Sequence, residues 1–218
     1  MVNFDSVIFD FDGTVADTGE GVFDSVRYAI RMEGLAQPSD EDIRKFIGPP
    51  LFESFHSEFP EIDDDRVQKL IIHFRAKYSV DGIYKFKVYD GMETLLDNLH
   101  RAGVKTAIAS SKADTFINFI LKNCGLAQYF DEAVGANMKY TASDKSGLVG
   151  EALERMKVTD RNRVLMVGDR KYDIEGAHKQ NVACAAVLFG YGNLEEFKEY
   201  KAEYIVKDCA ELEKIIVG

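Results

Sequence analysis

The spacing of apolar residues changes twice along the chain. Val7, Ile8 and Phe9 form an uninterrupted run that stops at Asp10, with Asp12 and Gly13 just beyond. A short apolar run closed by a turn signal predicts a buried strand. From Val22 the spacing becomes helical: Val22, Val26, Ala29 and Ile30 share one face, and Gly34 is placed to end that helix. Residues 39–46 predict a second, short helix with Ser39 as its N-cap, stopped by Gly48, Pro49 and Pro50. Leu51, Phe52, Phe55 and Phe59, then Val67, Leu70, Ile71, Phe74 and Tyr78, extend the helical pattern into a small bundle. The acids at 63–65 read as a solvated helix start, where the positive end of the helix dipole favours them.

From Tyr84 short apolar runs alternate with amphipathic helices. Strands are predicted at 104–109, 132–136, 164–167, 182–188 and 204–206, with helices between and after them. This alternation predicts an α/β fold: a doubly wound, Rossmann-like parallel sheet core with right-handed crossovers and an inserted α-helical bundle. The expected division is 1–16 and 84–218 for the core and 17–83 for the helical insertion.

Composition narrows the class. A chain of 218 residues, 46% hydrophobic and 29% charged, is an ordinary globular protein and not a disordered or fibrous one. Its formal charge of −10 provides no footprint for a nucleic-acid polymer or an anionic membrane, so an anionic ligand needs a locally built site. Cys124, Cys184 and Cys209 are odd in number and widely spaced, which argues against a disulfide framework and for a reducing compartment. Neither a secretory h-region nor a run of membrane-span length is evident, so the expected location is cytoplasmic. The four histidines share no spacing that suggests a zinc site.

Open α/β sheets bind ligands beyond the carboxyl ends of their strands. That edge would collect Asp10 and Asp12 from the first strand, Ser110, Ser111 and Lys112 after 104–109, Asp169 after 164–167, and Lys145 at the start of a later helix. Close carboxylates repel and are costly to desolvate, so a fold that gathers them usually supplies a cation. The set suits phosphoryl transfer. Asp10 can attack phosphorus as a nucleophile, with Mg²⁺ held by Asp10 and Asp169 offsetting the repulsion between anions. Lys145 adds a second positive charge, and Ser110 a hydroxyl donor. Asp12 can protonate the leaving alkoxide and then take a proton from water, a role that requires its pKa to be raised by its neighbour's charge. Each residue also has a purely structural alternative: Asp10 and Asp12 as turn residues, Ser110 and Ser111 as helix caps, Lys145 as a solvated residue, and Asp169 and Asp173 as turn and helix-start acids.

The same residues carry a resemblance. FDFDGTVADT, at 9–18, resembles the first motif of the haloacid dehalogenase superfamily in its phosphatase form, D-x-D-G-T. AIASSK at 107–112 is similar to the second motif, Lys145 to the third, and VGDRKYD at 167–173 to the fourth, with the helical insertion where the family places its cap. The resemblance implies Asp10 as nucleophile and metal ligand, and Asp12 as general acid and base that also binds the metal through its backbone carbonyl. It implies Ser110 and Lys145 as phosphate-binding, Asp169 as a Mg²⁺ ligand, and Asp173 as a ligand or the partner of one. IGPPL at 47–51 and FGYGN at 189–193 look most like the phosphoglycolate phosphatase and 5′-nucleotidase-like branch. Ser111 stands where many relatives of that branch carry asparagine.

The expected function is therefore Mg²⁺-dependent hydrolysis of a small phosphorylated metabolite, by a monomer or homodimer. Gly13, Ser111, Arg44 and Lys45 are the candidate substrate contacts. A sugar-phosphate mutase shares the motifs, and a phospho-aspartate signalling receiver is a third reading, although the insertion and Asp12 both speak against it.

Overall fold

The structure is a computed structural model that describes residues 2–136 and 144–218; Met1 and 137–143, which fall inside the expected core spans, lie outside the described residues. In chain order the elements are β1 (Ser6–Phe9), β2 (Ala16–Asp17), α1 (Gly19–Met32), α2 (Asp40–Arg44), α3 (Leu51–Glu58), α4 (Asp64–Val80), β3 (Lys87–Val88), α5 (Met92–Arg101) and β4 (Lys105–Ala113). They continue with α6 (Asp114–Asn123), β5 (Glu132–Ala136), α7 (Lys145–Arg155), β6 (Val164–Gly168), α8 (Lys171–Lys179), β7 (Ala183–Val187), α9 (Leu194–Glu199), β8 (Tyr204–Val206) and α10 (Cys209–Val217).

The main sheet has the order β5-β4-β1-β6-β7-β8, and each neighbouring pair is parallel. β1 lies between β4 and β6, which explains its unbroken apolar sequence: a parallel strand inside such a sheet is buried on both faces. Val7 and Phe9 pack on one face, in a cluster with Leu95, Ile117 and Leu212 of α5, α6 and α10. Ile8 faces the other way, toward Leu148, Val149, Ile174 and Ala177 of α7 and α8. The period-two alternation of the strand thus divides the helices into two layers.

The helical stretch leaves and rejoins the sheet through a short antiparallel ribbon, in which Ala16 pairs with Val88 and Asp17 with Lys87. Within the stretch, α1 packs along α4. The starts of α2 and α4 follow their sequence signals, since Ser39 accepts from the Asp42 amide and Asp63 from the Arg66 amide.

One element differs from its expected extent. β4 runs to Ala113 rather than ending near Ala109, and its pairing with β5 shifts register between Ser110 and Ala113. Backbone pairing continues after the apolar run has stopped, and such a bulge re-aims side chains. The N-cap of α6 is consequently Ala113, so Ser110 and Ser111 do not cap that helix.

Candidate active site

β1, β4 and β6 end on the same edge, and the chain brings four buried charged groups there. Asp10 follows β1, Asp169 follows β6, Asp173 sits in the first turn of α8 and Lys145 opens α7; all four are buried. One carboxylate oxygen from each of Asp10, Asp169 and Asp173 lies within 4.8 Å of the others. The Lys145 ammonium pairs with Asp10 at 2.7 Å and with Asp173 at 2.8 Å.

Local backbone geometry holds these acids in place. Asp173 Oδ2 accepts from the amides of Asp169 and Arg170 at 3.1 and 3.0 Å, closing the first turn of α8. Asp169 Oδ1 accepts from the Thr14 hydroxyl at 3.2 Å, and its Oδ2 accepts from the Tyr191 amide at 2.7 Å. Gly13 permits this approach. Its φ is +86°, and a Cβ there would stand 2.2 Å from Asp169 Oδ2, so a side chain is excluded on both counts.

The electrostatics are unbalanced. Burial, then the charges of Asp173 and Asp10, push the Asp169 carboxyl well above the usual carboxylate range. Burial raises Asp173 to about 6, Lys145 pulling against it and Asp10 adding to the rise. Burial would depress the Lys145 ammonium, but Asp10 and Asp173 outweigh it and hold its pKa above the ordinary value. Three buried carboxylates around one ammonium retain excess negative charge. An all-oxygen donor set of this kind fits a hard divalent cation such as Mg²⁺.

Asp12 occupies different surroundings. Its carboxylate accepts from Lys112 Nζ at 2.9 and 3.0 Å and from the Thr18 hydroxyl. Lys112 also lies over the Tyr78 ring, 4.5 Å from the centroid. Burial works to lower its pKa, and the Asp12 carboxylate together with the neighbouring Tyr78 hydroxyl more than reverses that.

A cavity of about 100 Å³ is lined by Asp10, Asp12, Ser110, Ser111 and Lys112 of this edge and by residues of α3 and α4 from the helical stretch. The Gly48, Pro49 and Pro50 break lines it as well. Arg44 and Lys45 stand outside that lining. Both are exposed; Lys45 pairs with Asp42 at 2.6 Å, and the Arg44 guanidinium lies 5.7 Å from the Tyr191 ring centroid.

The family profile of the haloacid dehalogenase-like hydrolases matches residues 7–187, which include every acid and lysine of this edge. The chain belongs to that family. This hydrolase is 29% identical to a 5′-nucleotidase of Pseudomonas aeruginosa, over 99% of its own length and 96% of the relative's. It is 28% identical to a phosphoglycolate phosphatase of Agrobacterium fabrum, over 94% and 89% respectively. The crystal structure of a predicted phosphatase from Clostridium acetobutylicum superposes with a TM-score of 0.91 at 36% identity, covering 97% of both chains.

Several groups at the edge of this hydrolase stand inside the quoted motifs or on α4 with no role that the sequence assigns them. Thr14 and Tyr191 bind Asp169 from loops, which periodicity does not reach. Arg170 donates from its guanidinium to the main-chain carbonyl of Ile47, tying the residue after Asp169 to the helical stretch. Lys112 is placed on this edge by the sequence, beside Ser110 and Ser111, but its pairing with Asp12 is not. Arg75 and Tyr78 line the cavity from α4, and there the sequence shows only a helix face.

Proposed function

We propose that this hydrolase is a Mg²⁺-dependent phosphatase of small phosphomonoesters, of the phosphoglycolate or nucleoside monophosphate kind, working through an aspartyl-phosphate on Asp10. The observation that carries the reading is the pairing of two neighbouring acids with different cations. Asp10 is bound to Lys145 beside two further carboxylates, while Asp12 is bound to Lys112 two residues on.

In this mechanism an Asp10 oxygen attacks phosphorus and the bond to the leaving alkoxide breaks. Lys145 orients Asp10 and offsets charge on the phosphoryl oxygens; Ser110, buried at the same edge, donates to one of them, and Ser111 borders the same space. Asp12 gives a proton to the departing oxygen and later takes one from the water that hydrolyses the acyl phosphate. For Asp12 to carry that proton, Lys112 must release one of the two oxygens it now binds. Mg²⁺ would be held by Asp10, Asp169 and the Asp12 carbonyl, with Asp173 as a ligand or as a partner of Lys145, and it would supply charge neutralisation for an anion attacking an anion.

Residues 17–83 act as a cap over the leaving group, hinged at the β2–β3 ribbon. The reading extends to a cytoplasmic monomer or homodimer, the compartment being supported by the cysteine usage.

The deciding experiment is turnover of p-nitrophenyl phosphate with Mg²⁺ and with EDTA, by the wild type and by Asp10→Asn. Metal-dependent hydrolysis that the substitution abolishes is expected; undiminished turnover by the variant would refute the mechanism.

A further inference from the structure

The loop after β7 is pressed against Asp169. Between Phe189 and Asn193 the chain reads Gly-Tyr-Gly, and neither glycine has room for a side chain. A Cβ at Gly190 would stand 2.3 Å from Asp169 Cβ, and one at Gly192 would stand 2.1 Å from the Asp169 carbonyl oxygen. The backbone therefore follows the contour of Asp169 on either side of Tyr191. Tyr191 carries the only side chain of 190–192, so it alone ties that segment to its surroundings by side-chain contacts.

Tyr191 faces two ways. Its amide donates to Asp169 Oδ2 at 2.7 Å. Its side chain reaches the helical stretch at three separate points. The phenol donates to the Asp17 carboxylate in β2, where the chain leaves the core. The ring meets Phe23 of α1 edge to face, with 6.2 Å between centroids, and carries the Arg44 guanidinium of α2 over it. Gly19, the first residue of α1, makes the approach possible, because a Cβ there would stand 2.4 Å from the Tyr191 hydroxyl oxygen. Tyr191, Asp17, Phe23 and Arg44 all lie outside the lining of the cavity at Asp10, so contact with a substrate there does not account for the cluster.

We propose that Tyr191 is a positioning residue that couples the hinge of the cap to the Mg²⁺ position at Asp169, so that metal binding and the placement of the cap favour each other. This rests on the phosphatase reading above, with its cap and its metal ligands, and adds the link between the two.

The physical reason is the shortness of the path. The amide that orients Asp169 and the phenol that holds Asp17 belong to one residue, so a displacement of β2 that drags the phenol reaches the amide through a few covalent bonds. Asp169 has a second donor in the Thr14 hydroxyl, at 3.2 Å, and the Tyr191 amide is the nearer of the two. A metal ligand is held in its binding orientation by the groups that donate to it. The coupling is reciprocal in binding free energy: Mg²⁺ that favours the aligned Asp169 also favours the hinge position that aligns it.

The test is titration of Mg²⁺ into the substrate-free protein, followed by Tm, for the wild type, Tyr191→Phe, Asp17→Ala and the double variant. Tyr191→Phe keeps the ring and the amide and removes only the hydroxyl. It is expected to weaken Mg²⁺ binding about fivefold. Asp17→Ala should weaken binding at least as much, since it also frees the Gly19 amide that Asp17 accepts from at 3.0 Å. In that background Tyr191→Phe should have no further effect, because the hydrogen bond is already gone. At saturating Mg²⁺, Tyr191→Phe should raise KM for p-nitrophenyl phosphate several-fold with kcat within about twofold, since the cap is displaced and the reacting groups are not.

A Mg²⁺ affinity or a KM unchanged in Tyr191→Phe, or a full further loss in the Asp17→Ala background, would overturn the proposal, while Mg²⁺-dependent turnover by the wild type leaves the phosphatase reading intact. A wild type whose Tm ignores Mg²⁺ would refute the metal site and the coupling together. Absent turnover by a wild type that shows the coupling would refute the phosphatase reading alone. Asp17→Ala cuts the same hydrogen bond from its other end, so a misfolded Tyr191→Phe would not shield the proposal.

Discussion

Lys112 donates to both carboxylate oxygens of Asp12, at 2.9 and 3.0 Å, although the two residues are 100 positions apart. The Lys112 side chain is 5% exposed and that of Asp12 16%, so water screens the pair only weakly. Lys112→Gln should therefore cost stability, because it leaves a largely buried carboxylate without its counter-charge. A loss of about 3 kcal/mol in urea unfolding is expected, together with a fall in kcat. Unchanged stability and kcat would show that the pair is incidental.

Asp173 ties metal binding to pH. Its folded-state pKa of about 6 lies above the usual carboxylate value, so between pH 4 and 6 the folded chain holds a proton that the unfolded chain has released. In EDTA this group stabilises the fold below pH 4, and its contribution is lost as pH rises through 6. Thermal unfolding in EDTA should show that component, and Asp173→Asn should remove it. Mg²⁺ binding the folded chain should raise Tm at pH 7 and flatten the trend. A Tm indifferent to Mg²⁺ would argue against a cation among Asp10, Asp169 and Asp173.

Arg170 connects the edge to the proposed cap. Its guanidinium donates to the Ile47 carbonyl, and its Nε pairs with Glu196 at 3.2 Å. Gly48 lies so close that a Cβ there would stand 2.9 Å from Arg170 Cγ, and its φ of +108° suits glycine. Arg170→Ala should loosen the Gly-Pro-Pro break and raise KM several-fold, while the Mg²⁺ concentration for half-maximal rate stays unchanged. A shift in metal requirement with KM intact would place Arg170 with the metal ligands instead.

Legibility in the sequence followed distance along the chain. Asp10 and Asp12, two residues apart at the end of an apolar run, and Asp169 and Asp173, four apart across a strand-to-helix turn, are local patterns whose spacing dictates their geometry. The strand and helix alternation was equally local, and with the preference for right-handed crossovers it determined the parallel sheet. Lys145 was legible through the rule that strand ends share an edge and through its likeness to the third motif.

Tertiary structure decided the rest. Periodicity reports which face of an element is apolar, not what that face meets. Tyr78 accordingly reads as one more position on a helix stripe, and only the tertiary structure sets it against Phe116 and Lys112, in the lining of a cavity shared with Asp10. The bulge in β4 is invisible for a related reason: backbone pairing carries Ser110, Ser111 and Lys112 onward as strand after the apolar residues have stopped. Arg44 and Lys45 show the converse. Their position before the Gly-Pro-Pro break suggests a substrate contact, yet α2 holds them exposed, with Lys45 paired to Asp42 within its own turn. By itself the sequence determined which chemical groups stand at the strand ends. Long-range packing determined which charge neutralises which, and what surface faces the reacting atoms.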